Sequence, residues 1–231
     1  MYENRHAAGR ALGKRLSTLK GRDVVVLGLL RGGIPVAFEV ARELEAPLYP
    51  LLPRKIGAPS DPELAIGAVA QDGTVVLNEA LVNLLSVEKK YIDDTVTKER
   101  LLIEKRLAGL GEFATLPDLT SKVVILVDDG IATGYTMLAA ATSARKARPR
   151  QVIIAAPVAP REALRQFSGA ADEVVVLSTP YPFFAVGQFY SDFSPVSDEE
   201  VNSILAQHAS WLRRQRELQG RHGPGAGDAS V

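Results

Sequence analysis

The residues best suited to chemistry lie in Val123-Val-Ile-Leu-Val-Asp-Asp-Gly-Ile-Ala-Thr-Gly-Tyr-Thr-Met137, where an apolar run ends in two carboxylates and runs on through glycines and threonines into a helical pattern. Ligands of open α/β sheets sit beyond the carboxyl ends of the strands. Amides at a helix N-terminus form an anion site that the helix dipole strengthens. Glycine lets the backbone close in on a phosphate, and the hydroxyls of Thr133 and Thr136 add donors. Asp128 and Asp129 would repel a phosphate. They suit the other end of a sugar phosphate, accepting from ribose hydroxyls or lying near a magnesium ion. A βα turn capped by threonines, and the paired aspartates of other metal sites, remain open as alternatives at this point.

Three further segments have a chemical character. Leu29-Leu-Arg-Gly-Gly-Ile-Pro-Val-Ala37 follows an earlier apolar run; its Gly32 and Gly33 expose amides, and Arg31 offers a fixed cation for diphosphate oxygens. Alone, Arg-Gly-Gly fits a tight βα turn equally well. Pro53-Arg54-Lys55-Ile56-Gly57-Ala58-Pro59 sets two cations side by side, as a catalytic loop or as a solvated basic turn. Pro180-Tyr-Pro-Phe-Phe-Ala-Val-Gly-Gln-Phe-Tyr-Ser-Asp-Phe193 is aromatic and broken by proline and glycine. Its rings suit stacking on a flat heterocycle, or the closing of a core.

The elements that position these segments are legible as apolar periodicity. Continuous β-branched runs at Val24–Leu30, Leu48–Leu52, Val123–Val127, Val152–Ala156 and Val174–Leu177 predict strands covered on both faces. Amphipathic patterns over Arg5–Leu19, Pro35–Leu44, Thr136–Arg148 and Pro160–Phe167 alternate with them. The expected fold class is therefore α/β, a doubly wound, mainly parallel, Rossmann-like sheet. Two stretches interrupt the alternation: an antiparallel hairpin over Ile66–Leu77, turning at Gln71-Asp72-Gly73, and a long charged helix over Val87–Leu110. Two prolines, two glycines and exposed charge make Lys55–Asp72 read as a mobile lid with little core of its own. Residues 1–218 read as one domain, and the Gly-rich composition from Gln219 onward reads as disorder.

Composition narrows the function classes. With Lys+Arg and Asp+Glu balanced at 27 each, no global field draws the 231-residue chain to nucleic acid or to an anionic membrane. Cysteine is absent, which removes disulfides, thiolate nucleophiles and cysteine zinc sites. His6, His208 and His222 are scattered, away from metal-ligand spacing. No apolar run reaches the ~20 residues that span a bilayer, and the arginine-rich start lacks signal-peptide character, so a cytoplasmic protein is expected.

The Asp-Asp-Gly-Ile-Ala-Thr-Gly-Tyr-Thr segment closely resembles the signature of the type I phosphoribosyltransferases, and Arg-Gly-Gly-Ile-Pro resembles that family's pyrophosphate loop. Asn4-Arg5 with Ala8-Gly9, Arg-Lys-Ile-Gly, Glu-Leu-Ala-Ile-Gly-Ala-Val and Phe-Ala-Val-Gly-Gln-Phe-Tyr-Ser-Asp-Phe resemble one small subgroup of it, over roughly residues 2 to 206. The resemblance implies a phosphoribosyl pyrophosphate substrate, a Mg2+ cofactor, a small nitrogenous acceptor, and room for a homodimer. It implies ribose recognition by Asp128 and Asp129, with magnesium reached only indirectly. Phosphate recognition falls on Ile131, Ala132, Thr133, Gly134, Tyr135 and Thr136, and diphosphate stabilisation on Arg31, Arg54 and Lys55. The segment at about 180–196 resembles the hood of 6-oxopurine phosphoribosyltransferases, which implies that Phe184 stacks on a base and Val186 offers backbone bonds. Two departures cut against a close match: Ala132 stands where many 6-oxopurine enzymes carry aspartate, and Asp192 falls one place later than the family's aspartate. A regulator that binds phosphoribosyl pyrophosphate without turning it over is the alternative reading.

Overall fold

The computed structural model describes residues 1–221. Its strands are β1 (Val24–Leu29), β2 (Leu48–Leu51), β3 (Arg54–Gly57), β4 (Ala65–Val69), β5 (Val75–Leu77), β6 (Val123–Val127), β7 (Gln151–Val158) and β8 (Glu173–Ser178). Five of them form a parallel sheet in the order β2-β1-β6-β7-β8, and β3, β4 and β5 form a separate antiparallel sheet. The parallel strands are the five expected apolar runs, shifted by no more than two residues at either end. Every residue of β1 and β6 is buried. Val24 and Val26 face one core with Ile125 and Ile153, while Val25 and Leu27 face another with Val124 and Ile154. Period-two alternation between two apolar layers explains why these runs carry no polar face.

The first layer is closed by α1 (Arg5–Leu16), α2 (Gly33–Leu44) and, further along the chain, a C-terminal helix; the second is closed by a helix that follows β6. In chain order the remaining helices are α3 (Glu79–Leu84), α4 (Lys89–Ala108), α5 (Tyr135–Lys146) and α6 (Asp198–Arg221). Asn4 starts α1 by accepting the Ala7 amide on its side chain. The expected helix over Pro160–Phe167 is a 3-10 run, Arg161–Phe167. Helix α6 extends to Arg221, and the rest of the stretch from Gln219 expected to be disordered lies outside the described residues.

The hairpin expected over Ile66–Leu77 is β4 and β5, paired antiparallel with Gly67 opposite Leu77 and Val69 opposite Val75. What needs correction is the expectation that Lys55–Asp72 has little core of its own. Arg54–Gly57 adds a third strand that pairs antiparallel with β4, from Arg54 opposite Val69 to Gly57 opposite Ala65. Ile56, Ile66 and Val69 are fully buried in a core of their own, shared with Ile92 and Ile103 of α4. At the far turn Lys146 of α5 donates to the Thr74 hydroxyl at 2.6 Å and reaches Asp72 at 3.3 Å. Only the tip between β3 and β4, Pro59 to Leu64, is a run of exposed residues.

Candidate functional site

Strand order places the site before any side chain is considered. Numbered by chain order, the five parallel strands run 2-1-3-4-5, so the direction of winding reverses between β1 and β6. The crevice at such a reversal is where open α/β sheets take ligands. Because β1 and β6 pair with Gly28 opposite Val127, the loops that follow them start side by side. One is Leu30-Arg-Gly-Gly33, ending in the N-terminus of α2; the other is Asp128 to Gly134, ending in the N-terminus of α5. Neither helix has a side-chain cap. Two sets of helix-terminal amides, each with its dipole, therefore face one crevice. The Leu30–Arg31 peptide is cis.

The loops are in contact through glycine. A Cβ on Gly33 would sit 2.7 Å from the Val127 carbonyl and 3.0 Å from Asp128, and one on Gly32 would overlap the Asp129 carboxylate. Arg-Gly-Gly thus has a stereochemical reason beyond a tight turn: nothing larger than hydrogen fits between the loop after β1 and the acid pair.

Asp129 is buried and Asp128 half-buried beside it, and their electrostatics differ. Burial pushes Asp128 well above the usual carboxylate range, and the neighbouring Asp129 charge adds to this. Its Oδ1 accepts the Asp129 amide at 2.9 Å. Burial also raises Asp129, but Arg5 opposes the shift with a direct bond, Nε to Oδ2 at 2.7 Å. Arg5 in turn donates from Nη1 to the Ser194 carbonyl at 2.8 Å and lies 3.9 Å from the centre of the Phe193 ring. The Tyr190 hydroxyl donates to the Asp129 carbonyl oxygen, and burial, followed by the Asp129 charge, keeps this phenol protonated.

Along the second loop, Ala132 and Thr133 are exposed, while Tyr135 and Thr136 are half-buried. Gly134 caps α5 at φ 85°, a left-handed conformation that glycine adopts without strain. A Cβ there would also collide with Gln166, whose amide nitrogen donates to the Thr133 carbonyl at 2.6 Å and to the Ala163 carbonyl at 3.0 Å. One expectation is corrected: the Ile131 amide is spent on the Val158 carbonyl at 2.9 Å and its side chain is buried, so Ile131 anchors the loop instead of offering a free donor.

The aromatic segment folds over the same edge. Val186 packs against Gly130, where a Cβ would overlap its methyl groups. Gln188 shapes the turn, accepting the amides of Phe184 and Ala185 and donating to the Pro182 carbonyl. Phe184 is 85% exposed and Tyr181 94%, so neither ring closes the core; Phe183 and Phe189 pack on each other instead. Asp192 is engaged in a local turn, accepting from the Ser194 amide and hydroxyl. Tyr2 bonds through its backbone to Phe189 and Ser191, tying the start of the chain to this segment.

Arg54 and Lys55 are brought near but not into the crevice. Arg54 lines a cavity of about 440 Å³ with Leu30 of the first loop, and its Nε bonds Glu99 at 2.6 Å. Lys55 bonds Glu63 at 2.7 Å. Arg31 is exposed. Sequence reasoning gave no functional role to Arg5, Gln166 or Gln188. Asn4-Arg5 at a helix start was the one visible signal, and it specified no partner.

Among the described residues no cluster of three or more His, Cys, Asp or Glu side chains could hold a metal ion. Two carboxylates, one already paired with Arg5, suit a magnesium ion held chiefly by substrate oxygens and water. No described helix is long and apolar enough to cross a membrane.

Fold and loops together define a doubly wound α/β protein with two anion-type loops at its switch point. The chain belongs to the type I phosphoribosyltransferases, an enzyme family, matching the phosphoribosyl transferase domain over residues 2–187. Two curated relatives from Mycobacterium tuberculosis strains CDC 1551 and H37Rv, provisionally named as phosphoribosyl transferases, are 44% identical over 205 residues. That match covers 89% of this chain and 46% of theirs, so the chain spans about half the length of these relatives. A solved structure from Thermus thermophilus is 40% identical with a TM-score of 0.75, covering 90% of this chain and 98% of that one.

Proposed function

We propose that the protein transfers ribose 5-phosphate from phosphoribosyl pyrophosphate to a flat nitrogenous acceptor, purine-like in shape, with release of pyrophosphate. The observation that carries this reading is the convergence of two uncapped helix N-termini on either side of an acid pair. That pattern matches a ligand with an anion at each end and a diol between them. Amides from Ala132 to Thr136 and the hydroxyls of Thr133 and Thr136 take the 5-phosphate. Asp128 and Asp129 accept from the ribose hydroxyls. Arg31 and the start of α2 take the diphosphate, and Phe184 stacks on the acceptor.

The chain's own contribution is alignment and charge. The diphosphate leaves the anomeric carbon through an oxocarbenium-like transition state, while the acceptor nitrogen attacks from the opposite face. Fixed dipoles at α2 stabilise charge that grows on the leaving oxygen. Mg2+, when bound with the diphosphate, neutralises part of its charge.

The test is pyrophosphate release from protein, magnesium and phosphoribosyl pyrophosphate across a panel of purines, pyrimidines and small amines. Release dependent on one acceptor, and reduced strongly in Arg31→Ala, supports transfer. One observation favours a second reading, a binding regulator: two of the three basic side chains expected at the leaving group are held by carboxylates, Arg54 by Glu99 and Lys55 by Glu63. Saturable ligand binding without turnover on any acceptor would select it.

A further inference from the structure

Arg5 enters the site from the far end of the sequence, 124 positions from its partner, and meets it in a nearly closed environment: the two side chains are 11% and 12% exposed. We propose that Arg5 is a positioning residue, clamped between the Phe193 ring and the Ser194 carbonyl, that fixes the Asp129 carboxylate in the orientation from which it accepts a ribose hydroxyl. This rests on the reading of Asp128 and Asp129 as the ribose-binding pair.

The geometry supplies each part. A guanidinium has five donors in a rigid plane, so the orientation of that plane fixes the position of whatever it bonds. Here the plane is held by stacking on Phe193 and by the Nη1 bond to Ser194, both from the hood segment. Nε is left to bond one oxygen of Asp129, Oδ2. That same Oδ2 is the atom a side chain on Gly32 would strike, so the diphosphate-type loop seals the pair from the other side. With Oδ2 held, the carboxylate can rotate little about its own axis, and Oδ1 is the oxygen left to meet a ligand. Asp128 has no such clamp; its Oδ1 is taken by the Asp129 amide. A lysine at position 5 would keep the charge but could not stack and fork at once.

The prediction separates positioning from scaffolding by the sugar hydroxyl. Binding of ribose 5-phosphate and of 2-deoxyribose 5-phosphate is measured by calorimetry for wild type, Arg5→Met and Phe193→Leu, with thermal unfolding as a check on folding. Wild type should prefer the ribose compound by about tenfold or more, the worth of a hydrogen bond to a charged group. In Arg5→Met that preference should collapse to within about twofold, because ribose binding weakens while deoxyribose binding does not. In Phe193→Leu it should fall partway. If both sugars weaken equally in Arg5→Met, the arginine only supports the fold and the proposal is wrong. A folded Arg5→Met that keeps the wild-type preference also overturns it. Should Arg5→Met fail to fold, Phe193→Leu decides, and an unchanged preference there refutes the clamp. A wild type that binds ribose 5-phosphate but does not distinguish the two sugars removes the ribose reading of the acid pair itself. That outcome is distinct from failure of the clamp alone.

Discussion

Gly32→Ala isolates the contact between the two loops, because nothing about the backbone forbids alanine. Gly32 has φ −61° and ψ −29°, an ordinary right-handed conformation. The added methyl would overlap Oδ2 of Asp129 and lie 3.4 Å from Arg5 Nε. Reaching an ordinary carbon–oxygen contact of ~3.3 Å needs the carboxylate to retreat by roughly 1 Å, which breaks its 2.7 Å bond to Arg5. Overpacking a tight site costs about 1–3 kcal/mol, and a buried ion pair losing its geometry approaches 3–5 kcal/mol. Some relaxation of the loop offsets part of this, so the expected loss is about 2–4 kcal/mol, or a fall in Tm of roughly 4–16 °C for a chain of this size. Gly109→Ala is the control: its Cβ meets only the Arg106 carbonyl, at 3.4 Å, and its stability should stay within about 0.5 kcal/mol of wild type. Chemical unfolding measures both. A Gly32→Ala protein as stable as the control, binding ribose 5-phosphate as wild type does, would refute the packing argument.

Three other outcomes are expected. Because burial raises the carboxyls of Asp128 and Asp129, the folded protein keeps protons that the unfolded chain has released; ligand-free stability should fall as pH climbs above the ordinary carboxylate range and level off beyond the raised values. Asp128→Asn should make that fall shallower and raise Tm at pH 7, and a steeper fall would contradict the burial argument. Gln166→Leu, which frees the Thr133 carbonyl, should weaken ribose 5-phosphate binding roughly three- to tenfold with little effect on Tm; unchanged affinity would mean that the loop holds its shape unaided. Within 55–72, hydrogen exchange should be fast only at the exposed tip 59–64 and slow in β3 and β4, with the tip protected when phosphoribosyl pyrophosphate is added. Uniformly fast exchange across 55–72 would restore the picture of a lid without a core.

What the sequence revealed depended on whether its signal was local. The five parallel strands were legible because each is apolar on both faces, and the Asp128–Thr136 loop because its chemistry is consecutive. Strand β3 was not: Arg-Lys-Ile-Gly has one fully buried side chain, Ile56, and its register comes from pairing with β4. The Arg5–Asp129 bond joins residues that neither spacing nor composition relates. Helix α6 was readable but unread. Ser197 accepts the Glu200 amide, acids fill the first turn, and buried Val201, Ile204, Leu205, His208 and Leu212 follow at three- and four-residue steps. In the hood, the motif identified Val186 and Phe184 but not Gln188, since an amide that shapes a turn looks like any surface glutamine until its partners are known.

The pairing of β1 with β6 has a further consequence for selectivity. The two anion-type loops leave adjacent strands at matched height, Gly28 beside Val127, and adjacent strands lie ~4.8 Å apart. Sheet geometry, more than any side chain, therefore sets the spacing between the two helix ends, so under the proposed reading the crevice would act as a gauge of how far apart a ligand carries its negative groups. A one-residue slip between the strands would offset the gauge by ~3.3 Å and flip the facing of the slipped strand's loop relative to its neighbour. Compounds of the same charge but the wrong span would be rejected at one end or the other. Changes to the acceptor segment could alter the chemistry while leaving that measurement intact.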